Sequence, residues 1–416
     1  MQQRRCGLHL LTKEPQSEGS TKRNIVIAFV LLFFTLSWWP LTLSYLKSPQ
    51  PGGASYSMET IVTRTTYYLS VVISSIIGSV IARKVKALRF LYYWMATGVV
   101  LSLVPMFFSS ASGWQLLTAA VLLGSAFGIG MPSCLALFAE LVRLEIRGTI
   151  SGAVFLASNL AIAALALALG NIESTLIALV AGIWRLTGLV LFILFRPRSE
   201  VGIEQKGHAS FAEVLRNRQF LYYFVPWLAF CLIDFFENPI RRELFGGFAE
   251  SALIIGPIIG SLSAIIGGVF SDKIGRKIMV LYSFVSIGLA YAVLSLVPND
   301  PLVWYFYTII NGVAWGILTS IFILTLWGDL SQTNEREKYY AIGNAPFFIA
   351  GIIGLVVEPY VSLIRPDHTF SLAAFFLFLA VLPLLYAPET LPEKRIKERE
   401  LKGYLEKAKK LKEKHV

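Results

Sequence analysis

Apolar residues in this chain come in continuous blocks rather than in alternation, and short polar breaks separate one block from the next. Twelve blocks are visible, at residues 24–45, 65–82, 88–108, 113–138, 149–169, 175–195, 220–237, 248–270, 278–297, 302–327, 340–363 and 370–387. A helix rises about 1.5 Å per residue, so some 20 residues cross a hydrocarbon core about 30 Å thick, and each block predicts one membrane-spanning helix. A membrane barrel would need alternating apolar and polar positions, which the blocks lack. The predicted fold class is therefore an all-α polytopic membrane protein.

Composition agrees with this class: 55% of the 416 residues are hydrophobic, only 15% are charged, and the mean hydropathy is +0.64. Soluble domains run nearer a quarter charged. A net charge of +11 would suit a nucleic-acid binder, but the placement of the charge argues against one. Starting with the N-terminus inside, nearly all Lys and Arg fall in the leader, the inner loops and the segment after Pro388. The exceptions are Lys47, Arg64, Arg241, Arg242 and Arg365 in outer segments and Arg185 within a span. The inside-positive bias then predicts both termini cytoplasmic, and the expected location of this multi-pass protein is the plasma membrane. The leader, 1–23, is polar and its following block ends without a small-residue cleavage site, so it reads as a cytoplasmic tail. The basic tail, 388–416, mixes in Glu398, Glu400, Glu406 and Glu413 and reads as a solvated helix that at most touches anionic lipid heads.

Redox and metal chemistry find little support. Cys6, Cys134 and Cys231 are scattered, and His9, His208, His368 and His415 lie outside the apolar blocks. None approaches a partner at ligand or triad spacing, so no cofactor, metal or enzyme activity is expected.

The stretch 196–219 is the longest inner loop and separates six spans (24–195) from six more (220–387). The halves resemble each other. Gly78-Ser-Val-Ile-Ala-Arg83-Lys-Val-Lys86 recurs as Gly268-Val-Phe-Ser-Asp272-Lys-Ile-Gly275-Arg276-Lys277, about 190 residues on, as expected of a duplicated unit. Glu140 with Arg147 recurs as Asp329 with Arg336 at the same internal spacing, Trp114 matches Trp304, and Phe195-Arg-Pro197 matches Tyr386-Ala-Pro388. The stretch 47–63, with Pro49, Pro51, Gly52 and Gly53, predicts a flexible outer loop.

Gly268-x-x-x-Asp272-Lys273-x-Gly275-Arg276-Lys277 resembles the cytoplasmic loop signature of the major facilitator superfamily, found between helices 2 and 3 and again between helices 8 and 9. Here it lies between blocks 8 and 9, and its degenerate copy at Gly78 and Arg83 lies between blocks 2 and 3. Glu140 to Arg147-Gly148 and Pro388-Glu389-Thr390 are similar to the family's other inner-face motifs. The resemblance implies two six-helix bundles related by a pseudo-twofold axis along the membrane normal, with substrate held between them near the midplane. Departures are specific: Ala82 stands where the first loop would carry an acid, Val85 where it would carry glycine, helix 4 opens without arginine, and the glutamines of sugar porters are absent from block 7. These differences weigh against sugar specificity and against the proton-coupling arrangement of many relatives.

Charged residues in or beside the spans are the candidate machinery. Gly78, Arg83, Glu140, Arg147, Gly268, Asp272, Gly275, Arg276, Asp329, Arg336 and Glu389 predict a cytoplasmic gate: the glycines let helices approach and the charges pair between bundles. As surface pairs each would contribute about 0–1 kcal/mol, so gating needs a network; the basic members also satisfy the inside-positive rule alone. Asp234 lies deep in block 7 with Glu237 three positions on, and insertion of such an acid at mid-helix costs about 2.5–3.5 kcal/mol. One reading gives them a proton or cationic substrate. The other unwinds block 7 at Asn238-Pro239 and leaves both acids near the headgroups.

Tyr307, Asn311, Trp315 and Thr319 form one stripe along block 10, and Asn344 and Phe348, Asn159, Thr35 and Trp38 are expected to face the same space, although such stripes also serve packing. Arg185 is expected to snorkel or to pair structurally. Glu358 and Arg64 suit an outer gate or interfacial anchoring. With no arginine placed near the acids on the cavity helices, a cation or neutral organic solute is favoured over an anion, a preference that Arg64 would reverse if it faced the cavity.

The expected function is secondary active transport of a small organic solute by alternating access, a symporter with a proton as coupling ion, acting as a monomer in a lipid bilayer and without nucleic acid. The alternatives are an uncoupled facilitator or drug/metabolite exporter, and a transporter-like sensor without flux.

Overall fold

A computed structural model of the chain describes residues 18–46, 57–85, 87–108, 113–169, 174–195, 210–245, 248–331 and 335–391. Most of the stretch between the halves, both tails and most of the Pro/Gly-rich loop expected at 47–63 lie outside the described residues. Within them no strand occurs and twelve helical segments are long and apolar enough to cross a membrane.

The first half comprises α1 (Glu18–Tyr45), α2 (Met58–Ile81), α3 (Ala87–Leu103), α4 (Trp114–Gly128), α5 (Met131–Leu141), α6 (Arg147–Leu169) and α7 (Ser174–Leu194). A short α8 (Phe211–Arg216), opened by a reciprocal Ser210–Glu213 cap, leads into the second half. That half comprises α9 (Arg218–Phe245), α10 (Phe248–Ile274), α11 (Arg276–Leu296), α12 (Pro301–Thr319), α13 (Trp327–Leu330), α14 (Arg336–Val357) and α15 (Pro366–Tyr386). Large apolar side chains such as Leu160, Leu167, Ile266, Leu289 and Phe375 point outward and exposed. That is the arrangement a bilayer solvent favours, because backbone polar groups are satisfied inside each helix and apolar side chains meet the lipid.

Prolines and a π-helical stretch shape three spans, each with an identifiable local cause. The block at 113–138 is two helices, α4 and α5, because Pro132 has no N–H for the Gly128 carbonyl; Ser75 Oγ donates to that carbonyl instead, at 3.2 Å. Gly130 at the break faces the Trp94 ring, which a Cβ would strike. Block 7 does not unwind at Asn238-Pro239: α9 runs on to Phe245. Pro239 frees the Phe235 carbonyl, and Gly354 on α14 packs closely over it. Block 10 holds a π-helical stretch, Ser320–Leu326, between α12 and α13. Its irregular carbonyls accept from α14, Tyr340 Oη to Leu324 O at 2.6 Å and Asn344 Nδ2 to Ile323 O at 3.3 Å.

Within each half α2 packs on α4, α3 on α7, α10 on α12 and α11 on α15. The two halves meet along α6 with α10 and along α2 and α5 with α14. The α6–α10 seam is close enough that a Cβ on Gly148 would run into the Gly268 carbonyl, Ser271 and Asp272, and one on Gly152 would meet Ala264. Further along the same seam Asn159 Nδ2 donates to Ser261 Oγ at 2.9 Å. The two halves thus enclose a space at mid-depth, tightly joined at the end that carries Asp272, Arg276 and Asp329, the basic end.

Candidate functional site

The space between the halves is a cavity of about 580 Å³. Its walls are largely apolar and carry aromatic rings from both halves: Trp39, Phe127 and Phe155 from the first, Phe235, Trp315, Phe347 and Phe348 from the second. Trp39 meets Phe347 at 5.7 Å and Phe348 at 6.0 Å between ring centroids, both edge-on, so the two halves touch through rings.

One end of this apolar space is charged. Asp234 and Arg241 both line it, with Arg241 Nη2 at 3.3 Å from Asp234 Oδ1. They are seven residues apart on α9, two turns, and so share a face. Arg241 Nη1 donates to Tyr307 Oη at 2.7 Å, Tyr307 Oη to Tyr291 Oη at 3.0 Å, and Tyr291 Oη to Asp234 Oδ1 at 3.5 Å. Asn311, on the α12 face that carries Tyr307 and Trp315, fits between the ions; with its amide assigned the orientation that satisfies both, N donates to Asp234 Oδ1 at 3.3 Å and O accepts from Arg241 Nη1 at 3.1 Å.

Glu237 is buried behind this surface, 1% exposed and outside the cavity wall. Tyr291 hydrogen-bonds it, and its Oε2 has no hydrogen-bond partner among the described residues. The sequence places Arg241 in an outer segment beyond block 7, whereas α9 continues through it to Phe245. Its presence overturns the inference that no arginine neighbours the acids, and with it the preference for a cation.

Of the other expected lining residues, Asn159, Asn344, Thr319, Tyr307 and Phe348 face the cavity. Thr35 and Trp38 do not. They turn into the first half, where Arg185 Nη1 donates to Thr35 Oγ1 at 3.1 Å and the guanidinium sits 4.6 Å from the Trp38 ring and 4.1 Å from the Trp94 ring. Trp39, the next residue, takes the cavity position instead. Arg185 does not snorkel: it is fully buried between two indoles, a cation–π arrangement that offsets part of its desolvation.

At the basic end the seam is closed by charge and by helix ends together. Asp272 of α10 accepts from the backbone N–H of Gly148 (2.9 Å) and Thr149 (2.7 Å) and from Thr149 Oγ1 (2.7 Å), capping α6 of the opposite half. These are orphan donors at the positive end of a helix, which favours an anion there. Asp329 takes Arg147 from the first half and Arg276 Nε from the second at 2.5 Å. Arg276 Nη2 also contacts Asp272 Oδ1 at 3.2 Å and crosses the seam to the Leu144 carbonyl at 2.8 Å.

Glu389 caps α11, accepting from Arg276 N at 3.0 Å and Lys277 N at 3.1 Å, and Gly275 supplies the turn with φ of 114°, a conformation side chains disfavour. Asp329 and Arg276 side chains are 0% exposed and Arg147 4%. The surface-pair energy assumed from sequence therefore does not apply; deleting one partner of such a buried set costs about 3–5 kcal/mol.

Gly78 serves a different contact, packing α2 against the Ile129 backbone within the first half. Glu140 and Arg336 lie within charge range of each other beside this network. Arg83 falls in the turn Ala82–Lys84, and its side chain lies outside the described residues.

The sequence model of the Major Facilitator Superfamily matches residues 24–323 and 239–414. A search of curated proteins gave no match. Among solved structures, the crystal structure of the human organic anion transporter MFSD10 (TETRAN) superposes with a TM-score of 0.66 at 13% identity, over 89% of this chain and 100% of that one. FucP, a transporter of the superfamily crystallised in the outward conformation, superposes with a TM-score of 0.67 at 12% identity over the same shares.

Proposed function

Because this chain belongs to the major facilitator superfamily, a family of membrane transporters, we propose that it moves a small organic solute by alternating access and couples that movement to a proton. The halves 24–195 and 220–387 rock about the cavity, and the basic end is the cytoplasmic gate, in keeping with the inside-positive distribution of Lys and Arg. On this reading both tails are cytoplasmic, the protein works as a monomer in the plasma membrane, and the tied basic end leaves the cavity to be served from the outer side.

The observation that carries the proposal is the charged cluster of the second half, Asp234 and Arg241 on the cavity wall with Glu237 buried behind them: one arginine, two carboxyls and no other ion among its described contacts. Two ionised acids with one guanidinium leave a net negative charge in a low-dielectric interior, and one proton removes it. Asp234 has Arg241 as partner, whereas Glu237 has an unpartnered oxygen, so Glu237 is the proposed proton carrier and the cluster its link to the cavity.

Glu237→Gln, which fixes the neutral form, is expected to abolish accumulation driven by a proton gradient in proteoliposomes while leaving counterflow exchange within about threefold of the parent. Accumulation that persists in Glu237→Gln and collapses with an uncoupler would assign the proton to another group. Uptake indifferent to the gradient in the parent protein would make it a facilitator.

A further inference from the structure

The charged end of the cavity also has a shape that selects a ligand. Asp234 and Arg241 touch through one contact of 3.3 Å, longer than the 2.7–2.9 Å of a tight charge-assisted hydrogen bond and not a two-pronged fork. Both face the cavity, so an entering group reaches either ion. Asn311 fills the position beside the pair as a dipole, its N–H toward the acid and its oxygen toward the guanidinium. A ligand taking that place needs the same polarity, a donor for Asp234 and an acceptor for Arg241.

Charge balance narrows the class further. With Glu237 carrying the proton, a ligand bearing only a cation would draw Asp234 away and leave Arg241 without its counterion, and one bearing only an anion would do the reverse; stranding one member of a buried pair is strongly unfavourable. A zwitterion exchanges one ion pair for two and strands neither. The remaining walls are mostly apolar and present aromatic rings from both halves, and 580 Å³ lies in the range of roughly 300–1,000 Å³ typical of small-molecule sites. We infer that the cavity takes an organic zwitterion with an aromatic body, its cationic group on Asp234 and its anionic group on Arg241, its ring among Trp39, Trp315, Phe347 and Phe348. This deepens the transport reading and rests on it for physiological meaning; the binding itself is testable without flux.

The test compares L-tryptophan, tryptamine and 3-indolepropionate, which share a ring system and differ in charge, as ligands of the purified protein at about pH 7, by equilibrium dialysis of labelled compound with thermal shift as a second readout. Tryptophan is expected to bind at least about tenfold more tightly than either single-charge analogue. In Asp234→Asn tryptophan should lose at least about tenfold while 3-indolepropionate gains, because Arg241 is then free for an anion; a merely misfolded variant would lose both. The inference is overturned if tryptamine or 3-indolepropionate matches tryptophan on the parent protein, or if none of the three binds at about 10 mM. Should Asp234→Asn fail to fold, the comparison on the parent protein still decides. Transport of 3-indolepropionate alone would sink this inference and leave the transporter reading intact; tryptophan binding without counterflow would do the opposite.

Discussion

Replacing Asp329 by alanine is expected to release the basic end of the seam. Its carboxylate holds Arg147 from one half and Arg276 from the other, and the three side chains are almost wholly buried. Without it Arg147 loses its carboxylate and Arg276 keeps only the longer contact to Asp272 in a closed interface, a penalty of about 3–5 kcal/mol that opening relieves by admitting water. An energy of that size moves an equilibrium by a factor of about 10² or more. Ser151, fully buried against Thr325 across the seam, reports the change. A cysteine placed there should react with a hydrophilic maleimide at least about tenfold faster in the Asp329→Ala background. Arg143→Ala is the control: the Arg143–Glu145 contact at 3.6 Å is exposed on the arginine side, so its loss should leave the rate nearly unchanged. Equal rates in all three backgrounds would show that the charge network does not hold the seam.

Arg241→Ala has the second large effect, at the charged end of the cavity. It leaves Asp234 and Glu237 buried together without a cation, and a stability loss of about 3–5 kcal/mol is expected, with loss of transport. Because most of that cost is the stranded charge, the double change Asp234→Asn with Arg241→Gln should regain most of the stability and none of the transport. Thermal unfolding in detergent and uptake in proteoliposomes measure the two separately. Additive destabilisation in the double variant would mean that the pair is not coupled.

The spans were legible because a bilayer leaves few choices: continuous apolar blocks of about 20 residues have to be helices, and their polar breaks have to be loops. The motif around Asp272 and Arg276 was legible for the same reason, since charges concentrate where spans end. Arg241 was not, because Glu237-Asn238-Pro239 looks like the end of a helix. Gly354 packs close over the carbonyl that Pro239 leaves free, a long-range contact no local pattern reports.

Rotation was also hidden. α1 is apolar on nearly all faces, so nothing in its sequence distinguishes Trp38, which turns to Arg185, from Trp39, which turns to the cavity. The strength of the charge network is not legible in the sequence because burial of Asp329 depends on two halves meeting, and each half alone would present it at a surface.

The central claim is that the two halves part at the basic end. Spin labels at Arg143 and Lys273, both exposed and on opposite sides of the seam, measure this directly in lipid nanodiscs on a background without Cys6, Cys134 and Cys231. Two distance populations are expected, the longer one growing when Asp329 is replaced by alanine. A single narrow distance, the same in both backgrounds, would contradict it.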